Sequence, residues 1–193
     1  MIQQRWLPVV FVFMCTSLLA QACRSAPSVV ANHGASDRVS TTATAFGDNS
    51  GLFGTYDNNN AFARIIRGEL PASKVYEDEH VLAFMPLRMI TPGHVLVISK
   101  TSRARNLLEI EPDELARVMD VATRVARAEV KALGIQGFQI LQNNGAVGTQ
   151  SVFHLHVHVL PRYPGVDLRA GAGPADDRKV LDEMARKIKA AMK

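Results

Sequence analysis

Apolar positions in the last two thirds of the chain recur with two periods. Leu115, Val118, Met119, Ala122, Val125, Ala126 and Leu133 follow i, i+3, i+4 spacing, the stripe of an amphipathic helix. Pro112 stands in its first turn and Gly134 just past its last, so the spacing predicts one long helix between them. Shorter apolar runs at Lys74–Glu77, Val81–Met85, His94–Ser99, Phe138–Gln142 and Phe153–Leu160 predict five strands. A short helix is expected after Asn59 or Asn60, with Phe62, Ile65 and Ile66 on its apolar side and Gly68 ending it. A basic helix is expected over Asp176–Lys193. The first three strands follow one another too closely for parallel crossovers, so the predicted class is α+β with an antiparallel sheet of about five strands.

The first third of the chain has a different pattern. Residues 1–22 carry one charge, Arg5, an apolar run from Trp6 to Ala20, and the small-x-small sequence Ala20-Gln21-Ala22. This is the form of a signal peptide, and the run is shorter than the ~20 residues a membrane span needs. The segment predicts export to the periplasm or beyond; without it in the working protein the expectation is a cytoplasmic location. Residues 23–56 are rich in Ser, Thr, Ala and Gly, lack Lys and Glu, and show neither period, which predicts a disordered linker. A single globular domain is expected over residues 57–193.

Charge and cysteine content narrow the chemistry. The net charge of +4 suits an anionic substrate, but no basic stretch with interleaved aromatics marks a nucleic-acid partner. Cys15 and Cys23 both precede the domain, which leaves it neither a disulfide framework nor a cysteine-based zinc site.

The most informative segment is Phe153-His154-Leu155-His156-Val157-His158-Val159-Leu160-Pro161-Arg162. Strand alternation puts the three histidines on one face and Phe153, Leu155, Val157 and Val159 on the other. Such a row has two chemical readings. It can converge on a metal ion, or one imidazole can attack phosphorus while the others orient it. Upstream, Asn143, Asn144 and Gly145 are followed by the loop Gly148-Thr149-Gln150-Ser151. A glycine-containing loop beside the row can bring backbone N–H groups, the Gln amide and the Thr and Ser hydroxyls to phosphate oxygens. Residues 143–162 contain no Asp or Glu of the kind that accompanies metal-bound imidazoles, which favours phosphorus chemistry without a metal or other cofactor.

Asn143, Gly148, Gln150, Val152 and His154-Leu155-His156-Val157-His158-Val159-Leu160-Pro161 resemble the signature of the histidine-triad (HIT) family. Asn60 to Glu79 and Pro92-Gly93-His94-Val95-Leu96-Val97-Ile98 are similar to the family's amino-terminal half. The resemblance covers roughly residues 57–165 and carries features of both the Hint and Fhit branches. It implies a homodimer joining two sheets and a nucleotide bound beside the histidines. It also implies hydrolysis or nucleotidyl transfer at the α-phosphorus of nucleoside phosphoramidates or dinucleoside polyphosphates. By position, His156 is the nucleophile, His158 binds a phosphate oxygen, and His154 and His94 hold the hydrogen bonds that fix the tautomer of His156. Asn143, Gln150 and Ser151 contact the phosphate and leaving group, and Phe62, Ile65, Phe84 and Leu87 line the base pocket. The family commonly has Asp, accepting from ribose hydroxyls, where Pro86 stands, and Pro where Met89 stands. That departure, together with export, keeps a second reading open, a nucleotide-binding or scaffolding protein with incidental turnover.

Overall fold

The computed structural model describes residues 51–169 and 174–193. The predicted signal segment and most of the predicted linker lie outside the described residues. Along the chain run α1 (Ala61–Ile66), β1 (Lys74–Glu77), β2 (Val81–Phe84), β3 (Val95–Ser99), α2 (Pro112–Leu133), β4 (Gly137–Leu141), β5 (His156–Arg162) and α3 (Arg178–Ala191). The strands form one sheet in the order β1-β2-β3-β5-β4, every neighbour antiparallel, so the predicted α+β class holds. Among the described residues no helix is long and apolar enough to cross a membrane.

The helix ends follow the local chemistry. Asn60 caps α1 by accepting from the N–H groups of Phe62 and Ala63, and Gly134 ends α2 in the left-handed conformation at φ +66°. α2 and α3 cover one face of the sheet. Val118, Val121, Ala122 and Val125 of α2 and Leu181, Ala185 and Ile188 of α3 meet Val81, Ala83, Val95, Val97, Val157 and Val159. A second cluster, Phe62 with Leu82, Phe84, Leu96 and Ile98, occupies the other face beneath α1. β2 and β3 are therefore buried on both faces, which is why their sequences are continuous apolar runs. Each fully buried aliphatic side chain contributes roughly 1.5–3 kcal/mol.

One position on the buried stripe of α2 is not apolar. Glu129 follows Val125 by four and precedes Leu133 by four, so helical geometry carries it inward. It has no exposed surface, and neither of its carboxylate oxygens has a hydrogen-bond partner. Burial pushes its pKa up to about 9, so the carboxyl is neutral at pH 7.

Several strand ends shift by a residue from the sequence reading, and two larger differences bear on the site. β5 begins at His156 and runs to Arg162, whereas the pattern suggested Phe153–Leu160. Leu155 gives its N–H to Ala104 O at 2.8 Å, so the chain before His156 is held by the loop after β3 and not by a ladder. The assigned linker also extends too far. Asn106 Nδ2 donates to Leu52 O at 2.5 Å, Arg105 Nη2 donates to Gly51 O at 3.4 Å, and Tyr56 Oη lies 2.6 Å from His154 Nδ1. These are polar contacts to backbone and imidazole, which leave no apolar period in the sequence. A protein spanning 57–193 is accordingly expected to be less stable than one spanning 51–193 by about 2 kcal/mol in urea unfolding, the loss of two to three part-buried hydrogen bonds. Equal midpoints would return residues 51–56 to the linker.

Candidate active site

The register of the sheet assembles the histidines. His156 stands opposite Ile98 and His158 opposite Leu96, so both imidazoles emerge beside the second apolar cluster while Val157 and Val159 enter the core. His94 immediately precedes β3, and its ring stacks on His158 with centroids 5.1 Å apart. Phe62 meets His156 edge-on at 5.0 Å, and His156 and His158 are 4.9 Å apart. His154, expected in the same strand row, precedes the strand.

Hydrogen-bond partners fix the proton on each ring. His156 Nδ1 is 2.8 Å from His154 O, and a carbonyl only accepts, so Nδ1 carries the hydrogen and Nε2 holds the lone pair. His154 Nε2 is 2.9 Å from Ser99 O and donates to it, so its Nδ1 accepts from Tyr56 Oη. His94 Nδ1 accepts from Ile90 N at 3.4 Å, which makes its Nε2 the donor to His158 Nδ1 at 2.9 Å. His158 then carries its hydrogen on Nε2, a buried atom with no hydrogen-bond partner. The result is one nucleophilic nitrogen on His156 and one vacant donor on its neighbour. His94 and the His154 side chain do not touch the Nδ1 of His156, as had been expected of them; the backbone carbonyl of His154 holds the tautomer.

Burial keeps these rings neutral. It lowers His94 to about 3 and His154 and His158 to about 4, with neighbouring imidazoles adding to the effect, and it lowers His156 as well. His94 and His154 spend both nitrogens on protein partners and His158 presents a hydrogen, so of the four rings only His156 offers a lone pair, at Nε2. Among the described residues no group of three or more His, Cys, Asp or Glu is arranged to hold a metal ion.

His94, His156 and His158 line a cavity of about 840 Å³. Asn143, Thr149 and Ser151 flank the histidines, and Phe62, Ile65, Phe84 and Leu87 form an apolar wall, so these seven candidates share one space. Gln150 does not. It is buried, its Oε1 accepting from Gly145 N at 2.9 Å and its Nε2 donating to Arg105 O at 2.5 Å and Val152 O at 3.1 Å. The amide expected on the phosphate instead braces the loop from within. Gly148 is required in that loop, since a Cβ there would stand 2.3 Å from Asn144 O. Thr149 has φ +66°, a strained conformation for a β-branched residue, and it lines the cavity.

Sequence reasoning missed two contributors. Tyr56, assigned to the linker, orients His154. The cavity also has a basic end, lined by Arg88, Arg169 and Arg178, and among the described residues no Asp or Glu lines it. These arginines lie in three separate stretches of chain, with no local pattern to join them.

Comparison with known proteins covers the stretch that builds the histidine end. A model of the HIT domain matches residues 67–165. The chain is 46% identical over 106 residues to Protein hit of Bacillus subtilis, covering 54% of this chain and 72% of that protein. It is 37% identical over 116 residues to Adenylylsulfatase HINT3 of Arabidopsis thaliana, covering 60% of this chain and 58% of that one. Its fold matches the crystal structure of a Hit-like protein involved in cell-cycle regulation from Bartonella henselae with TM-score 0.67 and 40% identity, over 72% of this chain and 99% of that chain.

Proposed function

The chain belongs to the HIT family, a family of nucleotide hydrolases and transferases, and from that premise we propose that His156 attacks the α-phosphorus of a nucleoside phosphate derivative. The observation that carries this reading is the tautomer of His156, whose Nδ1–H is committed to His154 O while Nε2 keeps its lone pair beside the cavity. In the first step the Nε2–P bond forms as the bond from phosphorus to the leaving nitrogen or oxygen breaks. The leaving group departs with that electron pair and takes a proton from solvent. The imidazole, now positively charged, is stabilised by its Nδ1–H bond to the carbonyl. The vacant His158 Nε2–H is the donor for a phosphate oxygen on which charge builds. Water then attacks phosphorus and gives up a proton to solvent, the pair of the breaking P–Nε2 bond returns to the imidazole, and a nucleoside monophosphate is released. The base rests on Phe62, Ile65 and Phe84, with Leu87 at the mouth.

Substrates for the test are adenosine 5′-phosphoramidate, diadenosine polyphosphate and adenosine 5′-phosphosulfate, the last because one relative is an adenylylsulfatase. Release of AMP over many turnovers from at least one is expected. Tight binding of all three without release would make the chain a nucleotide-binding protein.

A homodimer formed through the free edge of β4 fits the same reading. β4 closes the sheet on one side and leaves Phe138, Ile140 and Leu141 each about 40% exposed, on both faces of a strand that among the described residues pairs with β5 alone. Sedimentation is expected to give twice the chain mass, and Ile140→Glu to halve it; a monomeric parent would remove the assignment.

A further inference from the structure

Among the described residues Thr149 alone combines a side chain with a positive φ, at +66°. A β-branched side chain is crowded against its own backbone in that conformation, where glycine is not. The rest of the loop imposes it. Thr149 N donates to Ala146 O at 2.9 Å, Gln150 N donates to Gly145 O at 3.0 Å, the Gln150 amide braces the loop from within, and Gly148 passes too close to Asn144 O for a Cβ. No bond of its own side chain offsets the strain, since the Thr149 hydroxyl has no hydrogen-bond partner among the described residues. The compensation left to it is a ligand in the cavity that it lines.

The loop presents side chains to that ligand. Both N–H groups of Thr149 and Gln150 are spent inside it, and Asn144 is turned away, its Oδ1 accepting from Leu107 N at 2.9 Å. Asn143, Thr149 and Ser151 line the cavity, and the side chains of all three lack hydrogen-bond partners among the described residues. Residues 142–152 contain no Lys, Arg, Asp or Glu, so these groups act without a charged neighbour in the loop. Register says which part of a substrate they meet. Phe84, Leu96, His158 and Leu141 lie level across the sheet, and His156 lies two residues further along, opposite Ile98. The chain leaves β4 beyond Leu141 in that same direction and rejoins the sheet at His156, whereas Phe84 lies toward the other end. With the base against Phe84 and phosphorus at His156, the loop meets what lies beyond phosphorus, the leaving group. Three neutral donors suit a tetrahedral oxyanion, whose terminal oxygens each accept. A phosphoramidate nitrogen bears hydrogens of its own and offers a single atom.

We infer that Thr149 is a specificity-determining residue, its hydroxyl joining Asn143 and Ser151 as donors to the terminal oxygens of a leaving sulfate or phosphate. As the bond from phosphorus to the bridging oxygen breaks, its electron pair goes to that group, and the donors meet the charge that builds there. This rests on the proposed attack by His156 and adds the class of leaving group. The test is kcat/KM of the whole chain for adenosine 5′-phosphosulfate, ADP and adenosine 5′-phosphoramidate, which share a nucleotide and differ in what departs. Thr149→Val keeps the branch and loses the hydroxyl. It should lower kcat/KM for at least one anhydride by about tenfold or more, the scale of a hydrogen bond to a charged group, and for the phosphoramidate by less than about threefold. A loss confined to the phosphosulfate names sulfate as the group held, and one confined to ADP names phosphate. Thr149→Ser keeps the hydroxyl and should keep the parent's selectivity. Thr149→Gly should lose selectivity as the valine variant does while its urea midpoint rises, because glycine relieves the strain. A purely structural residue would not move stability and selectivity in opposite directions. Affinity for AMP, which has no such leaving group, should stay within about twofold in all three. Equal losses on anhydrides and phosphoramidate, or a serine variant as impaired as the valine one, would overturn the inference. A parent that turns over the phosphoramidate alone would overturn it and leave the proposed reaction standing. A parent that turns over none of the three would remove both.

Discussion

Replacing His156 with alanine is expected to lower turnover by roughly four orders of magnitude or more, the scale seen when a covalent nucleophile is removed. The other groups cannot substitute. Nε2 of His154 and of His94 each carry a hydrogen already donated, and the lone pairs of their Nδ1 atoms are taken by Tyr56 and Ile90. His158 presents a hydrogen and not a lone pair. Nucleotide affinity should change less, within about threefold, because the phosphate donors and apolar wall remain. His158→Ala removes a donor instead of the nucleophile, and about 10²–10³ in rate is expected from it. Quenched-flow labelling with a substrate radiolabelled at the α-phosphorus should trap label on the parent protein and none on His156→Ala. Label retained on the alanine variant, or rates near those of the parent, would assign the nucleophile to another residue.

The second large effect is on stability, and it depends on pH in two opposite senses. An unfolded histidine takes a proton near pH 6.5, whereas the folded rings resist it until about 3 for His94 and about 4 for His154 and His158, with His156 lowered too. Their contribution is complete above pH 6.5 and is lost as pH falls toward 4. Glu129 acts the other way. Unfolded, its carboxyl loses a proton near 4.5; folded, it keeps it until about 9. Its contribution is complete below 4.5 and is lost as pH rises toward 9. Each group contributes a slope of up to about 1.4 kcal/mol per pH unit inside its window. The several histidine slopes outweigh the single opposing one below pH 6.5, so maximum stability is expected near pH 7 with the steeper fall on the acid side. Glu129→Gln should erase the alkaline fall and leave the acid one. The difference between variant and parent should grow by about 1.4 kcal/mol per pH unit from pH 5 to 9, whatever the amide itself costs in that site. A constant difference across that range in urea unfolding would mean that the carboxyl ionises normally or finds a partner.

The elements legible in the sequence are those in which a residue's partners lie on its own element or an adjacent strand. α2 was bracketed by Pro112 and Gly134, α1 by Asn60 and Gly68, and the paired runs of β2 and β3 showed their burial on both faces. Alternation placed His156 and His158 on the face opposite Val157 and Val159. What escaped depends on contacts far apart in sequence. Tyr56 meets His154 across 98 positions and Arg178 meets Ser73 across 105, through single polar atoms that leave no period. Gln150 misled for a related reason. Its residue type suits both a phosphate and a backbone brace, and only the positions of Gly145, Arg105 and Val152 decide that it is the brace. Glu129 was passed over because a charged residue on a helix reads as solvent-facing unless its place in the stripe is followed through.

The loop that carries Pro86 is fastened to the far end of the chain. Leu87 O accepts from Asp176 N, Asp176 accepts from Met89 N, and Ile90 O accepts from Arg169 N. Both Arg169 and Asp176 lie beyond residue 165, where the HIT domain match ends. On the proposed reading the histidines lie inside the matched domain while the fastening of one cavity wall lies outside it, so exchange of the terminal segment is expected to reshape that wall and leave the histidine arrangement in place.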